Sequence, residues 1–121
     1  MSSIFSDILA GAVERIPGAI GGAFAAGDGE IVDSFAAGDP YEWAVLTAHF
    51  GIIASHVQAA LHTFHYGEAE VILFAHEKLD IVLHSVGEGY YAMVAAQHPA
   101  PLGLAMDTLA SAAVALRAEM G

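Results

Sequence analysis

Residues 43–67 read WAVLTAHFGIIASHVQAALHTFHYG and contain no Asp, Glu, Lys or Arg. The chain as a whole has fourteen acidic and three basic residues, so this charge-free run differs from its surroundings. Its apolar residues recur at spacings of three and four, which predicts a long α-helix. Because the run lacks charges on every side, we expect this helix to be buried on more than one face.

The predicted helix carries two stripes of different size. The large stripe consists of Leu46, Phe50, Ile53, Val57, Leu61 and Phe64. The small stripe lies roughly opposite and consists of Ala44, Ala48, Gly51, Ser55 and Ala59. Small residues at this spacing allow another backbone to approach closely. We therefore expect the large stripe to pack on the protein's own sheet, and the small stripe to pack on a helix from a second copy.

A transmembrane helix is the competing interpretation, because about 20 apolar residues are enough to span a bilayer. Polar residues on several faces argue against it, since polar groups in hydrocarbon are costly. These residues are His49, Ser55, His56, Gln58, His62 and His65. The first residues also lack the positive segment before an apolar stretch that is typical of a secretory signal. We expect a cytoplasmic protein that neither spans nor binds a membrane.

The composition limits the classes of partner. The net charge is −11 at pH 7 with neutral histidines, which argues against nucleic acid and anionic membranes because both are bound through Lys and Arg. Protonation of the seven histidines would bring the charge to −4; surface histidines are the simpler interpretation and a pH switch is the alternative. The absence of cysteine removes disulfides, thiolate metal sites and cysteine catalysis.

The first half of the chain predicts a helix, a hairpin and the long helix. Ser3 or Ser6 can cap the first helix, which a Pro-Gly pair ends. Asp28-Gly29 is a strong hairpin signal between two strands. Asp39 can cap the long helix. The predicted elements are a helix ending before residue 17, strands over residues 19–26 and 30–35, and a helix over about residues 41–65.

The second half predicts a β-meander and a last helix. Three β-rich runs over residues 71–75, 79–86 and 90–95 are separated by short connections, which indicates antiparallel neighbours. The first run is apolar on both faces, so we expect helices on both sides of the sheet. The last helix covers about residues 102–120. Its predicted inward positions are Leu104, Leu109, Ala112, Ala113 and Leu116.

The order α-β-β-α-β-β-β-α resembles the Roadblock/dynein light chain family and, within it, the bacterial MglB-like proteins. The matching segments are residues 22–29, 73–83, 86–90 and 101–103. The likeness covers about residues 5–120, and its weight comes from the order and spacing of the segments. It predicts a single Roadblock-like domain over residues 1–121.

The resemblance implies a fold and a mode of assembly. The implied fold is of the α+β type, a five-stranded antiparallel sheet with the first and last helices on one face and the long helix on the other. Family members form dimers by pairing the third strand, here residues 70–76, and by packing their long helices together. The predicted dimer interface is Ala44, Ala48, Gly51, Ser55, Ala59, Val71, Leu73 and Ala75. The predicted partner contacts are His49, His56 and Gln58.

Motifs for catalysis or cofactor binding are weak. No phosphate-binding loop or nucleophile elbow is present in the sequence, so we expect neither an enzyme nor a bound cofactor. His62 and His65, with Glu68 and His76 further along, could be imagined as a zinc or nickel site. Two histidines are too few without a located third ligand. We therefore expect no metal, and we interpret these residues as ordinary histidines at a helix end.

The resemblance implies a non-enzymatic homodimer that binds a small Ras-like GTPase, with activation, recruitment and scaffolding all open. One alternative is a structural adaptor of a larger assembly, as in dynein-associated relatives. Another is a ligand or metal sensor that uses the histidines. Arg15 and Arg117 lie on the first and last helices. Any stimulation of GTP hydrolysis is therefore not expected to use an arginine finger from this chain.

Overall fold

The computed structural model describes residues 3–121, and these residues form eight elements in the predicted order. The elements are α1 (Ile4–Arg15), β1 (Ala19–Ala25), β2 (Ile31–Ala36), α2 (Pro40–Thr63), β3 (Val71–Ala75), β4 (Leu79–Gly87), β5 (Tyr90–Gln97) and α3 (Leu102–Met120). The sequence-based boundaries agree with these bounds to within two residues. The signals that set them are local ones, namely caps, turns and changes of hydrophobic period.

Side-chain caps start the first two helices. The Ser3 hydroxyl accepts a hydrogen bond from the Ser6 N–H at 3.1 Å, and the Ser6 hydroxyl accepts one from the Ser3 N–H at 3.1 Å. This reciprocal pair satisfies two backbone donors that the helix leaves free. At α2 the Asp39 carboxylate accepts from the Tyr41 N–H at 2.9 Å, and Pro40 occupies the first turn. The predicted caps at Ser3 and Asp39 are therefore confirmed.

The five strands form one antiparallel sheet in the order β2-β1-β5-β4-β3. Helices α1 and α3 cover one face, where the core includes Leu9, Val13, Phe24, Val82, Val94, Leu109 and Leu116. Helix α2 covers the other face, where the core includes Ala23, Trp43, Ala54, Ile81, Leu83, Tyr91 and Met93. This arrangement confirms the predicted fold class. It also leaves β3 at an edge, paired with β4 alone among the described strands.

One predicted inward position on α3 is wrong. Leu109 and Leu116 are fully buried as expected, but Leu104 is 45% exposed. Ala105 and Thr108 are buried in its place. Helix α3 packs closely against both α1 and the sheet. The contact has room for the small side chains of Ala105 and Thr108, and the larger side chain of Leu104 faces solvent.

Helix α2 begins its contact with the sheet at Trp43. The indole N–H donates to the Gly22 carbonyl at 3.0 Å, which fixes the ring over β1. A Cβ on Gly21 would lie 2.8 Å from that ring, so only glycine leaves enough room. This close approach explains the small-residue composition of β1.

Candidate dimer and partner surface

The side of α2 that packs on the sheet lies between the two predicted stripes. It is formed by Trp43, Thr47, Gly51 and Ala54. The sequence predicts Gly51 in the dimer seam, yet it is buried against its own subunit: a Cβ there would lie 2.9 Å from the Gly29 Cα and against the Tyr91 hydroxyl. The helix approaches the sheet so closely that there is no room for a side chain at position 51. The assignment of Gly51 to the outward side is therefore wrong.

The large stripe is also only partly directed at the sheet. Leu46 and Phe50 are half-buried and pack against the core beneath α2, as predicted. Ile53 is 40% exposed and Phe64 is 69% exposed, so their assignment to the sheet side is wrong. Ile53 points away from the sheet, and Phe64 follows the last residue of α2, where the chain leaves the helix.

The outward face of α2 is the side opposite the buried residues, and it consists of Val45, His49, Ile52, Ile53, His56 and Ala60, all of them exposed. At about 100° per residue, two positions seven residues apart differ by only about 20° around the helix. His49 and His56 are such a pair. They occupy the middle of the outward face, with the apolar residues around them.

The remaining predicted interface residues on α2 flank the outward face. Ala44 and Ala48 are half-buried, while Ser55 and Ala59 are exposed. They lie together on one side of the helix, between the sheet contact and the outward face. A second helix packed on the outward face would pass beside these four small residues.

The predicted interface residues on β3 lie along the open edge strand. Leu73 is 43% exposed and Ala75 is exposed, whereas Val71 is half-buried against the core on the α1 and α3 side. Ile72 and Phe74 alternate with them and pack on the α2 side. The edge is therefore apolar on both faces of the sheet, which agrees with the sequence-based expectation.

Aromatic contacts join the edge strand to α2. The rings of Phe50 and Phe74 meet edge to face, with centroids 5.1 Å apart and planes at 64°. The His76 ring lies 5.8 Å from the Phe50 ring and nearly perpendicular to it. The sequence pattern did not indicate these contacts, because they join residues on separate elements. They hold the free edge of β3 in a fixed position relative to α2.

The predicted partner contacts differ in how free their side chains are. The Nδ1 of His49 lies 2.8 Å from the Val45 carbonyl, and if it donates there its Nε2 is left as an acceptor. The Gln58 amide is already occupied: its Oε1 accepts from the Ala69 N–H at 2.8 Å and its Nε2 donates to the Ala69 carbonyl at 3.3 Å. Gln58 therefore fastens the segment after α2 to the helix, and it is less available to a partner than His49 or His56.

The remaining histidines and the basic residues do not assemble into a site. His62 and Glu68 lie 3.9 Å apart at an exposed position. Within residues 3–121, no three potential metal-ligating side chains lie together. The Arg117 guanidinium donates to the Val86 carbonyl at 3.3 Å and lies 3.8 Å from Glu88, on the face of the sheet opposite α2.

Two buried polar groups lie outside the outward face. The Tyr91 hydroxyl is buried and has no hydrogen-bond partner among the described residues, and burial together with nearby Asp28 raises the pKa of Tyr91 to about 12. Asp80 is buried at the start of β4 and accepts from the Ala100 N–H at 3.0 Å and the His98 ring at 2.9 Å. These hydrogen bonds hold the pKa of Asp80 below its usual range.

By length and composition, α2 is the one helix in residues 3–121 that could cross a membrane, with a mean hydropathy of 1.4 over its most apolar window. Length and hydropathy alone are weak evidence of a span. Its outward face is centred on His49 and His56, and imidazole groups facing lipid are costly. The face is better suited to contact with another protein.

The five-stranded antiparallel sheet with two helices on one face and one long helix on the other matches solved structures of Roadblock/LC7 domains. A Roadblock/LC7 domain from Streptomyces avermitilis matches with a TM-score of 0.86 and 17% identity, over 95% of this chain and 96% of that one. MglC from Myxococcus xanthus matches with a TM-score of 0.71 and 23% identity, over 95% and 98%. An MglB structure described as having a tetrameric arrangement matches with a TM-score of 0.82 and 17% identity, over 97% and 90%.

These likenesses confirm the predicted Roadblock resemblance at the level of the fold. No protein-family profile matches the chain, and no curated protein sequence matches it either.

Proposed function

We propose that this protein is a non-enzymatic, cytoplasmic homodimer that binds and regulates a small Ras-like GTPase. The observation that carries the proposal is the apolar surface formed by the outward face of α2 and the open edge of β3. The Roadblock fold supports a role as a regulator or adaptor associated with small GTPases. Separate features of the molecule support homodimer formation and GTPase binding.

The outward face of α2 supports the dimer. Ile52 is 52% exposed, and Val45 and Ile53 lie exposed beside it. Contiguous apolar patches that lack charge mark interaction surfaces, because charged residues are depleted at the centres of protein interfaces. The absence of charge throughout residues 43–67 agrees with a surface that becomes buried on association.

The edge strand supports the same dimer. A strand at a sheet edge presents unpaired N–H and C=O groups, and proteins usually protect such edges with charged residues, with proline or with a segment packed over them. The sequence VILFA of β3 contains no charged residue and no proline. Pairing β3 with β3 of a second copy would satisfy the free backbone groups and bury Leu73. Because the Phe50–Phe74 contact joins the strand to α2, a copy that pairs with β3 also brings its own α2 beside this helix, on the same face of the continuous sheet.

The fold and the charge of the chain support the GTPase part. With a net charge of −11, the protein would attract a partner that has a basic rim, and the association would weaken with salt. Arg15 and Arg117 lie on helices that cover the other face of the sheet. Any stimulation of GTP hydrolysis would therefore act by positioning the GTPase's own catalytic groups.

Calorimetric titration tests this part. Where the gene of a small Ras-like GTPase adjoins the gene of this protein, that GTPase would be loaded with a GTP analogue or with GDP and titrated into the dimer. We expect saturable binding that differs between the two nucleotides. Val114→Asp, on the far side of the molecule, serves as the control and should bind like the wild type. An intact dimer that binds the GTPase in neither state would contradict GTPase regulation and favour the adaptor role.

A further inference from the structure

The hydrogen bonds between β3 and β4 fix which backbone groups of β3 face the open edge of the sheet. The Glu70 carbonyl accepts from the Ser85 N–H at 2.9 Å, and the His76 N–H donates to the Leu79 carbonyl at 3.0 Å. Successive residues of an antiparallel strand bond alternately to its two sides. The even-numbered residues from 70 to 76 therefore bond to β4. The groups directed to the open edge belong to Val71, Leu73 and Ala75.

These free groups select one register for a two-fold pairing of β3 with a second copy. Residues directly opposite each other in a sheet have their side chains on the same face, so an odd-numbered residue must meet another odd-numbered residue. Pairing about Leu73 brings every edge-facing residue of the strand opposite another one. Pairing about Ile72 or Phe74 leaves one edge-facing residue without a counterpart in the strand.

The register about Leu73 also matches the side chains on both faces of the sheet. Leu73, which is 43% exposed, meets Leu73 of the partner subunit on the side of α1 and α3. On the side of α2, Ile72 lies opposite Phe74 of the partner subunit, and an aromatic side chain beside a β-branched one is a favourable cross-strand pair. Pairing about Ile72 would instead place Phe74 opposite Glu70 of the partner subunit.

The two ends of β3 carry opposite charges on the side of α2. Glu68 and Glu70 precede the strand and line a cavity of about 170 Å³ beside the second half of α2. Lys78 is one of only three basic residues in the chain, and it follows the strand beside Phe50 of α2. All three charged side chains are exposed.

These charges have no strong partner within their own subunit. Glu68 lies 3.9 Å from His62. In residues 3–121, no lysine or arginine contacts Glu68 or Glu70, and no carboxylate contacts Lys78. The extended segment from residue 70 to residue 76 is about 20 Å long, so Lys78 cannot reach the two carboxylates of its own chain.

We infer that two copies pair about Leu73 and that Lys78 of the partner subunit then binds Glu68 and Glu70. In this register Glu70 lies opposite His76 of the partner subunit, and two residues further along the partner chain Lys78 comes beside Glu68. Two-fold symmetry repeats the contact at the other end of the paired strands. The inference rests on the proposed homodimer and adds the charged contact that sets its register.

The lysine explains how two acidic chains can meet at this edge. A net charge of −11 on each copy opposes association. Glu77 lies next to Lys78, so that without the lysine the seam would bring carboxylates of both subunits together, and like charges on neighbouring strands are destabilising. Complementary charges at an interface fix the register and exclude wrong partners.

Single cysteine variants test the register, because the chain contains no cysteine of its own. On oxidation, a single cysteine joins two copies only where a residue meets itself, since a disulfide needs Cα atoms about 4–7 Å apart. The variants are Ile72→Cys, Leu73→Cys and Phe74→Cys, with the exposed Ala75→Cys as the matched control. We expect Leu73→Cys to give the covalent dimer in the highest yield. A higher yield from any of the other variants overturns the inferred register.

An exchange of charges tests the ion pair. Lys78→Glu alone, or Glu68→Lys/Glu70→Lys alone, places like charges at both ends of the paired strands. A heterodimer of these two variants has opposite charges at both ends again. The matched controls are Arg15→Glu and Asp107→Lys/Glu119→Lys, which make the same changes of charge at exposed positions on α1 and α3.

Two measurements follow these variants. Sedimentation equilibrium gives the dimer dissociation constant of each variant and of each one-to-one mixture. Native mass spectrometry, with one variant of each mixture labelled with heavy nitrogen, counts homodimers and heterodimers. Circular dichroism establishes that every variant is folded.

We expect each seam variant alone to dimerise about tenfold more weakly than its control, and their mixture to form mainly heterodimers. Overall charge predicts a different result. Each Glu→Lys change adds two positive charges, so the net charge of Glu68→Lys/Glu70→Lys is −7 and its reduced repulsion alone would tighten the dimer.

Seam variants that dimerise as well as their controls overturn the inference, and so does a mixture without an excess of heterodimers. Both results leave the proposed homodimer standing. A wild type that is monomeric under the same conditions overturns the homodimer and this inference together.

Discussion

The ring of Phe50 on α2 meets the ring of Phe74 on β3 edge to face, with centroids 5.1 Å apart. This contact links the helix directly to the edge strand. Because of it, the outward face of α2 and the free edge of β3 are presented together. A partner that pairs with the strand thus finds the helix already in place.

Phe50→Ala should weaken both the fold and the dimer. The variant loses the edge-to-face pair and part of a half-buried side chain, so we expect a loss of about 1–3 kcal/mol in the free energy of unfolding. The loosened strand should also raise the dimer dissociation constant. Urea unfolding and sedimentation equilibrium check the two effects. Phe64→Ala, which removes a largely exposed ring, is the control, and an equal loss there would contradict the account.

Gly51→Ala should destabilise the fold of each subunit. The new methyl group would meet the Tyr91 hydroxyl and the Gly29 backbone, and overpacking of this kind costs about 1–3 kcal/mol. Gly11→Ala is the matched control, because a Cβ at Gly11 on α1 meets nothing within 4 Å and alanine favours a helix by up to about 1 kcal/mol. Urea unfolding compares the two variants. If Gly51→Ala is as stable as the wild type and only the dimer is affected, Gly51 belongs to the seam after all.

Asp80 should make the stability depend on pH in the acid range. Its pKa is lowered in the folded state by the Ala100 N–H and the His98 ring, so its contribution is fully present above the unfolded pKa of about 3.9. That contribution is lost as the pH falls through the lower folded value. Urea unfolding between pH 5 and pH 3 should show a shallower decline for Asp80→Asn than for the wild type. Identical slopes would exclude this role for Asp80.

Arg15→Ala and Arg117→Ala should leave any stimulation of GTP hydrolysis largely intact. Both arginines lie on the face of the sheet opposite α2, and the Arg117 guanidinium donates a hydrogen bond to the Val86 carbonyl. The rate of single-turnover GTP hydrolysis by the GTPase, measured with each variant, tests this prediction. An arginine finger contributes about a thousandfold or more, so a loss of that size from either variant would show that the GTPase binds the other face.

The sequence predicts the elements well because their signals are local. Ser3, Asp39 and the Asp28-Gly29 turn act through neighbouring backbone groups, so element order and bounds follow from spacing alone. The Roadblock resemblance then supplies the arrangement of layers. The extent of the single domain over residues 1–121 stays a prediction.

The faces of α2 could not be assigned from residue size alone. A stripe of small residues suits any close contact, and both the sheet and a second helix can provide one. The informative signal was the spacing from Trp43 through Thr47 and Gly51 to Ala54, because a tryptophan beside glycine-rich β1 has to be buried. The pairing of His98 with Asp80 depends on the start of β4 meeting the segment after β5, and the hydrogen bonds between Gln58 and Ala69 depend on the chain folding back on α2. No periodic pattern in the sequence indicates such contacts.

The most direct test of the α2–β3 homodimer is sedimentation equilibrium at pH 7.5 and micromolar concentration, on the wild type and three aspartate variants. Ile52→Asp and Leu73→Asp each place a charge in one half of the proposed interface, while Val114→Asp places one on the exposed side of α3. We expect twice the chain mass for the wild type and Val114→Asp, and a single chain mass for Ile52→Asp and Leu73→Asp. A monomeric wild type, or a dimer that survives both interface variants, would contradict the account.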